Sequence, residues 1–228
     1  MKPLRLAIFD LDGTIVDSQA NIIQAVAEVS RSLGLPPPDP AKVPGVIGLS
    51  LKEALVRLFP HVDTSRHDDL DREYREIFVR MRASPGYDEP LFAGTHEVLD
   101  QLEKAGFLLG IATGKATRGV NHVLNRHGLT ERFVTVSTPD NSPGKPHPGM
   151  VLRAMAEIGV EPKNTVVIGD TSFDILMARA AGAHAVGVSW GNHPVAELQA
   201  AGAHRLVDRL EDLLHAIEDL TAPVEDKQ

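Results

Sequence analysis

The chain has 228 residues, 43% hydrophobic and 24% charged, which is enough for one domain with a large insertion and a sizeable core. Its 31 acidic against 23 basic residues give a formal net charge of −8, which argues against general nucleic-acid binding or attachment to an anionic membrane. There is no cysteine, hence no disulfide or thiolate metal site, and no apolar run reaches the length of a membrane span. No signal-peptide core precedes the first strand pattern, so the expected compartment is the cytoplasm.

Leu4 to Phe9 is a short apolar run and reads as a buried strand. It leads into Asp10-Leu11-Asp12-Gly13-Thr14, where Gly13 permits a sharp turn. Ile22, Val26, Val29 and Leu33 then recur at helical spacing, and Gly34 stops the run. The proline-rich stretch Leu35 to Pro40 reads as a stiff linker and Val43 to Leu49 as a loop. Helices are predicted over Ser50–Phe59 and Arg66–Arg82, and Pro85-Gly86 and Pro90 close the section. Residues 16–89 therefore form an all-helical insertion directly after the acidic turn.

From Leu91 the pattern alternates. Helices are expected at Thr95–Lys104, Thr117–His127, Met150–Ile158, Ser172–Ala181, Val195–Ala201 and Leu210–Leu220. Strands are expected at Phe107–Ala112, Phe133–Val136, Thr165–Ile168, Ala185–Val188 and Arg205–Val207, with a frayed tail from Thr221. Such alternation implies an α/β fold with a doubly wound parallel sheet. Residues 1–15 and 90–228 would form the α/β core and 16–89 a helical cap.

Right-handed crossovers bring strand ends of one polarity to one edge of the sheet, where ligands bind in such folds. The polar groups expected there are Asp10, Asp12, Thr113, Lys145, Asp170 and Asp174. Asp10, Asp12 and Asp170 offer oxygens to a hard cation such as Mg²⁺. Lys145 adds a fixed positive charge, and the Thr113 hydroxyl with the Gly114 N–H suits an anion. This set supports phosphoryl transfer to an aspartate, with a second carboxylate as proton donor and acceptor.

Asp10-Leu11-Asp12-Gly13-Thr14 resembles the first motif of the haloacid dehalogenase superfamily. Thr113 resembles the second, Lys145 within Gly144-Lys145-Pro146 the third, and Gly169-Asp170-Thr171-Ser172-Phe173-Asp174 the fourth. All four occur in the expected order, and the helical insertion resembles the small cap of the phosphoglycolate phosphatase-like branch. The resemblance implies that Asp10 is the nucleophile and Asp12 the general acid/base. It implies that Asp10, the backbone carbonyl of Asp12, and Asp170 hold Mg²⁺, with Asp174 supporting the metal shell or fixing Lys145. Thr113 and Lys145 would bind the phosphoryl group.

Dehalogenases of this superfamily lack an aspartate at the Asp12 position, and β-phosphoglucomutases carry a cap histidine where this chain has Ile22. The expected activity is therefore hydrolysis of a small phosphomonoester, with 2-phosphoglycolate first. The alternatives are a phosphosugar mutase, a pyrophosphatase and a non-enzymatic receiver-like phosphoacceptor. The expected partner is a small phosphorylated metabolite, and the sequence sets no oligomeric state. Gly48-Leu49-Ser50 resembles a substrate-facing cap loop but equally fits a helix cap at Ser50, and Trp190-Gly191-Asn192, which follows a sheet strand, fits either the border of the phosphate pocket or plain packing.

Overall fold

Successive side chains of a strand point to opposite faces, and β1 (Arg5–Phe9) buries both. Leu6 and Ile8 enter one apolar cluster while Ala7 and Phe9 enter another. That double burial places β1 in the middle of a parallel sheet covered by helices on each side. The structure, a computed structural model, describes residues 3–222.

After β1 come three helices, α1 (Gln19–Ser32), α2 (Leu51–Leu58) and α3 (His67–Ala83). The chain then alternates through α4 (Thr95–Lys104), β2 (Phe107–Ala112), α5 (Thr117–Arg126), β3 (Phe133–Ser137), α6 (Gly149–Ile158) and β4 (Thr165–Gly169). It finishes with α7 (Ser172–Ala180), β5 (His184–Val188), α8 (Val195–Ala200), β6 (Arg205–Val207) and α9 (Leu213–Thr221). The sheet has six strands in the order β3-β2-β1-β4-β5-β6, and all its pairings are parallel. From β1 the chain builds outward to β3 and then returns to place β4 on the other side of β1. The switch point, where such sheets bind ligands, therefore lies at the carboxyl ends of β1 and β4.

Helices α4, α5 and α9 cover the face of Ala7 and Phe9, while α6, α7 and α8 cover that of Leu6 and Ile8. A third apolar cluster lies within the insertion. It joins Ala25, Val26 and Val29 of α1 to Leu55 and Leu58 of α2 and to Leu70, Ile77, Phe78 and Met81 of α3. Phe173 at the start of α7 packs against it, so the insertion rests beside the acidic sheet edge.

Several boundaries differ from the sequence reading. Leu4 is 52% exposed, and the first strand starts at Arg5. The expected proline-rich linker ends in a short 3-10 turn, Pro40–Lys42, and the expected loop over 43–49 contains another, Pro44–Val46, each opened by a proline whose fixed φ suits a first helical position. The last helix begins as a 3-10 turn at Leu210–Asp212 before α9. Thr221 closes α9, and the expected tail beyond Ala222 lies outside the described residues.

Candidate active site

Asp10 directly follows β1, and its N–H donates to the Ile168 carbonyl at 2.9 Å, so the β1–β4 pairing holds it rigidly. Leu11 N–H donates to Asp10 Oδ1 at 2.7 Å. Lys145 comes from the β3–α6 loop and is buried to its tip. Its Nζ lies 2.8 Å from Asp10 Oδ2 and 2.6 Å from Asp174 Oδ1. Asp174 is locked by a capping box at the start of α7. Its Oδ2 accepts from Thr171 N–H at 3.1 Å and Thr171 Oγ1 at 2.7 Å, which leaves Oδ1 for the lysine. Asp174 thus contacts Lys145 and also lies beside Asp10 and Asp170, so both expected places stay open to it.

Asp170 follows β4 and is equally buried. Thr14 Oγ1 donates to its Oδ1 at 3.0 Å, and Asn192 donates to Oδ2 through both its backbone N–H and its side-chain amide at 2.7 Å. Trp190 Nε1 donates to the Thr14 carbonyl at 3.0 Å, so the β5–β6 connection braces the turn from behind. Gly13 has φ +88°, and a Cβ there would meet Asn192 Nδ2 and Asp170 Oδ2 at 2.2 Å, so only glycine fits the turn.

Oxygens of Asp10, Asp170 and Asp174 lie within 4.8 Å of one another, and among the described residues Lys145 is the only cation in contact with this trio. Burial pushes the Asp10 carboxyl up to about 8; Lys145 opposes the rise, and Asp174 and Asp170 add to it. Burial and Asp174 raise Asp170 to about 6 against the hydrogen bonds from Asn192 and Thr14. Burial alone would lower Lys145, but Asp10 and Asp174 hold it above its ordinary value. Three buried carboxylates against one ammonium leave a deficit of positive charge, and the donors are all oxygen. A hard divalent cation fits both features.

The Asp12 carboxylate turns away from this group. Ser18 Oγ donates to its Oδ1 at 2.6 Å, and Lys115 Nζ lies 3.0 Å from the same oxygen. Lys115 also contacts Glu89 Oε1 at 3.1 Å, and Glu89 is fully buried between Lys115, Arg82 and the Tyr87 hydroxyl. Burial works to lower Lys115, yet Asp12 and Glu89 keep it raised. Sequence reading assigned no role to Lys115, Glu89 or Arg82. Only the position of Lys115, two residues after Thr113, signalled that a cation stood near the strand end.

Thr113 is buried at the end of β2, and Lys115 N–H donates to its hydroxyl at 3.2 Å. The following helix starts at Thr117, as expected. At Gly114 a Cβ would meet the Leu49 carbonyl at 2.3 Å and the Gly48 carbonyl at 2.6 Å. The absence of a side chain there lets the insertion approach the sheet edge. Ser50 caps α2, accepting from Glu53 N–H at 3.4 Å. His147 Nδ1 accepts from Gly149 N–H at 3.0 Å and so turns into its own loop. A cavity of about 290 Å³ lies between the insertion and the sheet edge, with Asp12, Gly114 and Lys115 on one wall and Gly48 and Leu49 on the other. No helix among the described residues is long and apolar enough to cross a membrane.

Residues 7–188 match the model of the family described as haloacid dehalogenase-like hydrolase. The Dickeya dadantii protein named "Probable phosphatase IndB" is 36% identical over 222 residues, covering 96% of this chain and 95% of that one. The N-acetylmuramic acid 6-phosphate phosphatase of Pseudomonas aeruginosa is 31% identical over 228 residues, covering 96% and 97%. The phosphoglycolate phosphatase of Xanthomonas campestris pv. campestris is 34% identical over 188 residues, covering 82% and 84%. Fold, buried acidic edge and relatives define a phosphoric monoester hydrolase. The chain belongs to the haloacid dehalogenase-like hydrolase family and falls in its phosphoglycolate phosphatase-like branch.

Proposed function

We propose that the protein hydrolyses a phosphomonoester of a small metabolite with Mg²⁺, by way of a phosphoryl group carried on Asp10. The observation that supports this most is the Lys145 ammonium held between Asp10 and Asp174, with Asp170 alongside and no other cation among the described residues in contact with the trio. Asp10, Asp170 and the backbone carbonyl of Asp12 would hold Mg²⁺, which when bound offsets the carboxylate charge and polarises the phosphoryl oxygens.

Asp10 attacks phosphorus, and the bond to the ester oxygen breaks. Asp12, as general acid, gives a proton to the departing alkoxide. It then takes a proton from the water that attacks the phospho-aspartate, which releases phosphate and restores both residues. Lys145 keeps Asp10 in place and balances charge on the transferring group. The Thr113 hydroxyl and the Gly114 N–H complete the phosphoryl contacts. In this reading residues 16–89 act as a cap over the core formed by 1–15 and 90–228. Closure excludes water from the first step and admits it for the second.

Ile22 lines the cavity, so a mutase-type histidine is missing from that wall, and hydrolysis is favoured over return of the phosphoryl group to a sugar. 2-Phosphoglycolate is the reference substrate, and the cytoplasm is the compartment this reading expects. The test is phosphate release from p-nitrophenyl phosphate, with and without Mg²⁺, by wild type and Asp10→Asn. The expected result is Mg²⁺-dependent turnover by wild type alone. Equal activity in the two proteins would overturn the proposal.

A further inference from the structure

The cavity above Asp12 has a size and a lining that bear on the alcohol being released. Its volume of about 290 Å³ is roughly twice the ~150 Å³ of an engineered apolar cavity that takes up benzene. The glycolate portion of 2-phosphoglycolate has five heavy atoms, fewer than a benzene ring, and would leave most of that space to water. The space is walled by Ile22 and Val26 of α1, Leu55 and Leu58 of α2 and Phe78 of α3. An apolar wall of this kind gains nothing from a two-carbon acid that leaves it wet, and gains from a body large enough to cover it.

The charged residues of the lining are unbalanced. Asp12 is the only acid, against Arg75, Arg82, Lys115 and Arg118. Three of these bases have acidic partners already: Lys115 holds Asp12 and Glu89, Arg82 holds Glu89 and Arg75 holds Asp71. Arg118 has no ion pair among the described residues. The Nε of Arg82 is buried without a hydrogen-bond partner. Arg75 and Arg118 also line an adjoining open depression, so they stand at the mouth. In a chain of net charge −8, this wall is locally positive.

We propose that the preferred substrate is a phosphomonoester whose leaving alcohol has a ring-sized apolar body and an anionic group of its own. The body covers the α1–α3 wall, and the anion meets Arg118 and Arg82. The inference rests on the hydrolase reading above and narrows its substrate class.

Three probes share one CH₂–O–phosphate linkage: 2-phosphoglycolate, benzyl phosphate and 4-carboxybenzyl phosphate. The expected order of kcat/KM is 4-carboxybenzyl, then benzyl, then 2-phosphoglycolate, with at least tenfold between first and last. Ala54 also lines the cavity, and Ala54→Phe should cut the ratio of 4-carboxybenzyl to 2-phosphoglycolate at least tenfold. Arg118→Ala should bring the ratio of 4-carboxybenzyl to benzyl towards one. Turnover of all three by wild type with 2-phosphoglycolate equal or first overturns this inference and leaves the hydrolase reading standing. Absence of turnover with all three overturns both.

Discussion

Lys115 Nζ lies 3.0 Å from Asp12 Oδ1 and, through its other contact at 3.1 Å, ties that carboxylate to the buried Glu89. Glu89 stands on the return connection from the insertion to the sheet, while Asp12 stands on the outgoing one. The two chain crossings are thus joined by one ammonium. Removing a partner from a buried ion pair leaves an uncompensated charge, at a cost of about 3–5 kcal/mol. Lys115→Met should lower the stability measured by urea unfolding by about 3 kcal/mol. A loss below about 0.5 kcal/mol, the size of an exposed pair, would contradict the burial argument.

Asp10→Asn should stop turnover and yet stabilise the metal-free protein. Burial, Asp174 and Asp170 push the Asp10 carboxyl up to about 8, so its site resists a negative charge that the unfolded chain carries freely at neutral pH. Asparagine has similar size and no charge, and Lys145 keeps Asp174 as partner. The thermal midpoint at pH 7 in chelator should rise, and a fall would show that Asp10 is a net stabiliser.

Raised carboxyls also set the direction of the pH dependence. Asp10, at about 8, and Asp170, at about 6, both start from 3.8. Between about pH 4 and pH 8 the folded protein holds protons that the unfolded chain has released, so these groups make stability fall as pH rises. A bound cation counters the ionised forms. The gain in thermal midpoint on adding Mg²⁺ should therefore be larger at pH 8 than at pH 5. Equal gains at the two pH values would remove Asp10 and Asp170 from the cation site.

Gly114→Ala tests the close approach of the insertion. The new methyl would meet two backbone carbonyls, Leu49 O at 2.3 Å and Gly48 O at 2.6 Å, which cannot rotate away as side chains do. Overpacking of this kind costs about 1–3 kcal/mol, and kcat/KM should fall with it. Gly45→Ala is the control, since its Cβ meets nothing within 4 Å. Similar effects at both positions would contradict the packing argument.

Strand positions were legible because Thr165–Ile168 and Phe107–Ala112 are buried on both faces and read as unbroken apolar runs. Asp10, Lys145, Asp170 and Asp174, which the structure brings together, stood out because each lies at or near a strand end or helix start, Lys145 and Asp170 directly after a glycine. The Lys115–Glu89–Arg82 group was not. A charged residue that is buried only by tertiary pairing looks locally like any surface charge, and Glu89 lies in an irregular connection with no periodicity to mark it. Gly114 was read as an anion contact, whereas the approach of Gly48 and Leu49 depends on how the insertion folds back, which local pattern does not encode.

In the proposed reaction, phosphorus passes through Asp10. It is tested by mixing enzyme with a ³²P-labelled phosphomonoester, quenching in acid within one turnover, and mapping the labelled peptide. The expected result is label on the peptide containing Asp10, lost after mild base and absent in Asp10→Asn. Phosphate release with no labelled peptide, or label on another residue, would contradict it.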